Sequence, residues 1–327
     1  MRDFDYARAV SLGEARRLAA EPDAMLLAGG TTLLDLAKCG VAAPAKVVDI
    51  THLEGFDAIT VGAAGAHIGA LAKMSHVADD AAIREYFPAI SEALWQAASA
   101  QLRNMATIGG NLLQRTRCAY FRDPQAFPSC NKRHPGSGCA AIGGITRNHA
   151  VLGTSKVCIA SNPGDLAVAL TAFDAVVHLG DRPVAVEEFF LLPGMTPERE
   201  HALEPGEVIT AVTVPASNAA RRSTYLKVRD RQSYEFAAAS AAVGLELEAD
   251  GKTIRDLRVA LGGVATKPWR AREVEKALIG QALEPETVKR ASLLAMTAAV
   301  AQEHNHYKIE LAPRVVARAI LKVGGLA

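Results

Sequence analysis

No stretch of about eighteen apolar residues interrupts the 327-residue sequence, so no membrane-spanning helix is expected. The opening residues, Met1-Arg2-Asp3-Phe4-Asp5-Tyr6, hold no charged-then-apolar export signal. Synthesis as a soluble cytoplasmic protein is the expectation. Charge of either sign is not in excess: the net value is +1, which gives no general attraction to nucleic acid or anionic lipid. No G-x-G-x-x-G or G-x-x-x-x-G-K-[ST] string occurs, so neither a Rossmann domain nor a P-loop is supported. Cysteine is scarce as well. An odd count of five in a reducing compartment argues against a disulfide framework and toward metal or redox use.

What is present is concentrated. Cys118, Cys130, Cys139 and Cys158 crowd four of those five cysteines into one loop-like segment among Arg117, Arg122, Asp123, Asn131, Lys132, Arg133, Pro135 and Gly136. Core cysteines sit singly among apolar residues, so thiolates held together in this setting need a cation or each other. The spacing C-x11-C-x8-C-x18-C lacks the short pairs of a zinc ribbon and the tight run of bacterial ferredoxins. Spaced thiolates on a large loop can still meet, because closure entropy grows slowly with loop length. Cys39, alone beside Lys38, reads as an ordinary thiol. Half the residues are apolar, enough for two or three cores of ordinary size.

From the start of the chain, Ser11-Leu12-Gly13-Glu14 reads as a capping box ahead of an apolar stripe at Leu12, Ala15, Leu18 and Ala19. Met25-Leu26-Leu27-Ala28 reads as a short buried strand, broken by Gly29-Gly30, and Thr31-Thr32-Leu33-Leu34 as a helix start. Glycine allows close approach and left-handed angles, so successive N–H groups can point into one concavity that suits a diphosphate. Val47-Val48-Asp49-Ile50 reads as another buried strand, and Ile59 with Val61 as a further one. Ile68-Gly69-Ala70 reads as the entrance to a mainly helical stretch that runs, with a break at Pro88, to Met105. His52, His67 and His76 fall at no metal-ligand spacing.

A second glycine pair follows in Gln101-Leu102-Arg103-Asn104-Met105-Ala106-Thr107-Ile108-Gly109-Gly110-Asn111-Leu112. Taken with Leu27-Ala28-Gly29-Gly30-Thr31-Thr32-Leu33-Leu34 and Ile68-Gly69-Ala70, in this order and spacing, it resembles the FAD-binding subunit of molybdenum hydroxylases, the xanthine dehydrogenase and carbon monoxide dehydrogenase medium-subunit family. The likeness continues through Asn162-Pro163-Gly164-Asp165 and Tyr225-Leu226-Lys227 to the C-terminus.

That resemblance implies a flavin stretched between two N-terminal subdomains. Leu26, Leu27, Ala28, Gly29, Gly30, Thr31, Thr32, Leu33 and Leu34 would line its diphosphate, and Thr107, Ile108, Gly109, Gly110 and Asn111 would close over it. Asp165 would bind sugar hydroxyls, Ile209 would touch the ring system through its backbone, and Lys227 would reach the flavin from the C-terminal domain. On the residues alone, Asp165 reads as a helix cap before the apolar run Leu166 to Leu170. The inserted stretch resembles the iron–sulfur-bearing flavin subunits of bacterial aldehyde oxidoreductases, the closer match, and of hydroxybenzoyl-CoA reductase. It implies a [4Fe–4S] cluster on Cys118, Cys130, Cys139 and Cys158, with Arg115, Arg117, Arg122, Lys132 and Arg133 offsetting its negative charge. The alternative is a zinc-stapled loop.

The expected fold class is α+β. A two-subdomain α/β FAD-binding domain spans 1–216, in parts 1–54 and 55–216 with the insert at 114–160. A C-terminal antiparallel sheet packed on helices spans 223–327. Phe236 to Leu247 and Ile254 to Val264 read as strands joined at Asp250-Gly251, and helices are expected near Trp269, Pro285 and Pro313, with proline early in each or close by. By resemblance the partners are a large subunit carrying molybdopterin and a small [2Fe–2S] subunit. Electrons would leave FAD for an external acceptor. No catalytic side chain is required, and export to the periplasm as passenger on a signal-bearing partner is compatible with the sequence.

Overall fold

The computed structural model describes residues 1–326. The chain begins with a parallel sheet of β1 (Asp5–Arg8), β2 (Ala24–Leu27) and β3 (Lys46–Asp49), in the order β1-β3-β2. Parallel neighbours need crossover connections, here the helices Leu12–Ala19 and Leu33–Lys38. Ser11 caps the first helix, its Oγ accepting from the Glu14 amide at 3.2 Å, while Glu14 accepts in turn from the Val10 amide at 2.9 Å. Thr32 precedes the second helix without a side-chain cap bond. A small core of Ala9, Ala15, Leu18, Val48 and Ile50 holds the unit together.

The second sheet is antiparallel: β4 (Ile59–Gly62), β5 (Gly65–Gly69), β6 (Val176–Leu179), β7 (Arg182–Ala185) and β8 (Ile209–Pro215), in the order β4-β5-β8-β6-β7. Ile68 and Gly69 therefore end a strand and do not enter a helix, which starts at Met74. Pairing with β4 on one side and the distant β8 on the other overrides the weak strand preference of glycine and alanine. Four short helices follow, the third opening on Pro88 at its first position, where a missing N–H costs nothing. The helix Asp165–Ala172 is buried along its whole length.

The third sheet runs β12-β11-β10-β9, all antiparallel, from β9 (Ser223–Val228), β10 (Ala239–Leu247), β11 (Ile254–Gly262) and β12 (Trp269–Arg270). Gly251, at φ +67°, turns the hairpin between β10 and β11. β9 carries Tyr225-Leu226-Lys227 and is missed by the strand reading; Trp269 belongs to a short strand, and the helix expected near it starts three residues on, at Arg272. Pro313 lies inside the long helix Tyr307–Gly324, not in its first turn. The helix continues through it, with Ala312, Val315, Val316, Ala319 and Ile320 packed into the C-terminal core.

The cores interlock across the two halves. The main core takes in Tyr225, Ala242 and Ala260 from the third sheet, and the C-terminal core takes in Val151 and Leu152 from the cysteine-bearing insert. Leu152 pairs with Ala265, and the Val151 and Leu152 amides donate to the Val264 carbonyl at 2.8 and 3.1 Å.

Candidate functional site

Where the first two sheets meet, a cleft of about 500 Å³ opens along both glycine pairs. One wall is the turn after β2, with Leu26, Ala28, Gly29, Gly30, Thr31, Thr32 and Leu33; the other holds Thr107, Gly109 and Gly110, with Ile209 at the start of β8. The glycines are there for space and for angle. A Cβ on Gly29 would fall 2.2 Å from the Met105 carbonyl oxygen, so the turn after β2 meets the chain leading into the other wall only as bare backbone, and one on Gly109 would crowd the Ala70 Cβ at 3.1 Å. Gly30 adopts φ +72°, which a side chain would strain.

Gly109 and Gly110 sit within the short helix Ile108–Leu112, where the notable glycine signal belongs to a helix and not to a turn; Thr107 caps it, its Oγ1 accepting from the Gly110 amide at 3.2 Å. The main-chain N–H groups of Gly29, Gly30, Thr31 and Thr32 are given no main-chain acceptor among the described residues. Free amides in a glycine turn facing a cleft match the demand of a diphosphate for closely spaced donors. The arrangement fits the phosphate spine of FAD.

Six of the expected binding residues are not brought to this cleft. Leu27 backs the turn, Leu34 faces outward, and Ile108 is buried in the main core. Asn111 is absent from the lining: its Nδ2 points to the Met74 sulfur at 3.4 Å, and its Oδ1 is buried without a partner. Asp165 and Lys227 form an ion pair of 2.8 Å that is shut from solvent, with Tyr225 OH donating to the other carboxylate oxygen at 2.6 Å. Asp165 is the first residue of its helix, not the cap, and both its oxygens are taken. Burial raises its carboxyl despite the Lys227 ammonium.

Further side chains line the cleft, among them Glu200 and His201, which carry no signal in the sequence, and Arg115, expected instead to offset cluster charge. Burial would raise the Glu200 carboxyl, but Lys132 and Arg115 outweigh it and hold it below the ordinary range. His201, packed between Phe189 and Phe190 at ring separations of 5.2 and 5.5 Å, is lowered to about 4 by burial. It is neutral at pH 7.

The cleft wall runs directly into the insert. Cys118, Cys130, Cys139 and Cys158 line one small cavity together with Phe121, Ala141 and Ala160. Cys130 and Cys139 face each other across an antiparallel bridge. Two of the four are buried, and Cys130 packs with Leu36, Ala42 and Phe121, so the segment is less polar inside than its composition suggests. Burial pushes the Cys118 thiol up to about 12 and raises Cys158 as well, so without a cation both are neutral. His149 Nε2 lies 3.2 Å from Cys118 Sγ, a contact the histidine spacings did not announce.

Among the described residues, no three His, Cys, Asp or Glu side chains converge closely enough to hold one metal ion. The basic residues of the insert have partners other than the thiols. Arg117 and Arg122 pair with Asp35, Lys132 and Arg115 with Glu200, and Arg133 donates to the carbonyls of Tyr120, Phe121 and Phe127. Arg115, Arg117, Arg122 and Lys132 thereby tie the insert to Glu200 and to the helix Leu33–Lys38, while Lys132 also acts on the Cys158 thiol, pulling it down against burial.

Comparison with known proteins places this geometry. Residues 2–217 match the family model described as the FAD binding domain in molybdopterin dehydrogenase, and residues 224–323 match the CO dehydrogenase flavoprotein C-terminal domain. The chain is 46% identical over 277 residues to the aldehyde oxidoreductase FAD-binding subunit PaoB of Escherichia coli, covering 83% of this chain and 84% of that one. It is 29% identical over 292 residues to the glyceraldehyde dehydrogenase medium chain of Sulfolobus acidocaldarius, covering 88% and 85%. Reconstituted CO dehydrogenase from Oligotropha carboxidovorans shares the fold at a TM-score of 0.76 and 24% identity, over 100% of this chain and 99% of that one. With the glycine-walled cleft and the three-sheet architecture, these matches make the chain a member of the FAD-binding flavoprotein family of molybdopterin dehydrogenases, carrying the C-terminal domain of CO dehydrogenase flavoproteins.

Proposed function

We propose that this chain is the FAD- and [4Fe–4S]-carrying electron-transfer subunit of a heterotrimeric, molybdenum-dependent aldehyde oxidoreductase. A large subunit with molybdopterin would oxidise the aldehyde to the acid, a small subunit would relay electrons through [2Fe–2S] centres, and this chain would deliver them to an external acceptor. The observation that carries the reading is that four cysteines surround one cavity just beyond the cleft wall formed by Leu113 and Arg115. Identity of 46% to an aldehyde oxidoreductase FAD-binding subunit supports the substrate class.

A flavin accepts electrons in pairs and releases them singly, which suits the junction between iron–sulfur centres and an acceptor. The free amides of the Gly29–Thr32 turn would hold the diphosphate, and Ile209 and Thr107 would border the dinucleotide. Asp165 and Lys227 would keep the two halves in register, since neither reaches the cleft. In a [4Fe–4S] cluster each thiolate would bind a different iron, so four cysteines lining one cavity would suit it without all converging on one point.

Purification of the native complex, with FAD and iron assayed, tests the reading. A yellow-brown preparation with about four irons in the cavity beyond those of the small subunit is expected. Cys139→Ser should lower iron and thermal stability while leaving FAD largely bound. Unchanged iron removes Cys139 from the ligand set, and a colourless wild-type complex ends the proposal.

A further inference from the structure

The cleft that takes the dinucleotide is short of positive charge. Its lining includes Glu198, Glu200, Glu204 and Glu207 but only one cation, Arg115. Three of those carboxylates are already met by bases: Glu204 by Arg199, Glu207 by Arg182, and Glu200 by Lys132 at 2.9 Å. A diphosphate entering this cleft finds amide dipoles on the glycine turn and, among side chains, a single full positive charge.

Arg115 is built to be that charge. Its Nε donates to Glu200, and its guanidinium carbon lies 4.7 Å from the centre of the Phe121 ring. The plane is fixed from two sides. Nη2, buried, has no protein partner, and an unmet guanidinium N–H in such a place is destabilising unless something accepts from it. Lys132, largely buried, covers the second Glu200 oxygen, so Glu200 orients Arg115 without consuming its charge.

We infer that Arg115 is the cationic clamp of the FAD diphosphate, oriented by Glu200 and Phe121 and kept available by Lys132. The inference rests on the dinucleotide lying in this cleft. Because Arg115 stands three residues before Cys118 and Phe121 belongs to the cysteine cavity, the clamp also joins flavin binding to the order of the insert.

The test is titration of the full-length apoprotein with FAD and, separately, with riboflavin, which has no phosphate. Arg115→Met should raise the FAD Kd about ten- to a hundred-fold and leave the riboflavin Kd within about twofold; Arg115→Lys should recover part of the loss. An FAD Kd within twofold of wild type overturns the inference, as does an equal loss for both ligands, which marks a merely structural arginine. If Arg115→Met does not fold, salt decides. The wild-type FAD Kd should weaken several-fold between about 0.05 and 0.5 M NaCl while that of riboflavin holds, and a flat FAD response overturns the clamp. Failure of wild-type apoprotein to bind FAD would instead sink the cleft assignment itself.

Discussion

Lys227 Nζ lies 2.8 Å from Asp165 Oδ2, and neither side chain has meaningful access to solvent. The pair spans β9 of the third sheet and the fully buried helix Asp165–Ala172 of the second layer, so it stitches the halves of the molecule together. Lys227 also donates to the Gln96 carbonyl at 3.0 Å.

Breaking the pair from one side should be costly. Lys227→Met leaves a carboxyl in an apolar site and should lower unfolding stability by about 3–5 kcal/mol, read from the urea midpoint. Changing both partners, Asp165→Asn with Lys227→Met, should return much of it. Loss of FAD at unchanged stability in Lys227→Met would restore the lysine to the flavin site.

Gly29→Ala tests the contact between the cleft walls. Its methyl group would collide with the Met105 carbonyl, so the walls must part, with a stability loss of about 1–3 kcal/mol and a drop in bound FAD. Gly13→Ala is the control. Nothing lies within 4 Å of the added methyl, and it sits in the helix Leu12–Ala19, so it should be neutral or stabilise by up to about 1 kcal/mol. Equal behaviour of the two variants would mean the close approach is unimportant.

His201 gives a pH signature. Burial holds it at about 4 in the folded chain against 6.5 for the free side chain, so between those values the unfolded state binds the extra proton. Stability of the apoprotein should fall as pH drops from about 6.5 toward 4, and His201→Phe should flatten that slope by one proton's worth. A slope identical to wild type would show that this ring is not held neutral.

Much of the fold could be read because its signals are local. The Ser11 capping box, the β2 strand into Gly29-Gly30, and the Asp250-Gly251 hairpin each need only a few neighbouring residues. What escaped depended on distant partners. Ile68-Gly69 became strand because β8 pairs beside it, and Tyr225-Leu226-Lys227 became strand because β10 does. At the site, both glycine pairs were legible. The helical state of Gly109-Gly110 was not, since Thr107 caps a helix too short to show a period. Resemblance carried Asp165 and Lys227 to the ligand, whereas here they satisfy each other. Glu200 carries no local mark, and Arg115 is marked only as a charge beside the cysteines; only the folded chain puts the two at the cleft. The four cysteines were legible as a group, and their apolar packing was not, because Leu36 and Ala42 come from the helix Leu33–Lys38 and the turn after it, far ahead of the insert in the chain.

Val151 and Leu152 have a consequence for anyone hoping to study the flavin module in isolation. Expression of residues 1–217 alone would leave these two aliphatic side chains bare where Val264 and Ala265 had covered them, and would remove Tyr225 from beneath the helical layer. Such a fragment should aggregate, and the intact polypeptide should melt in one cooperative step despite its two homology segments.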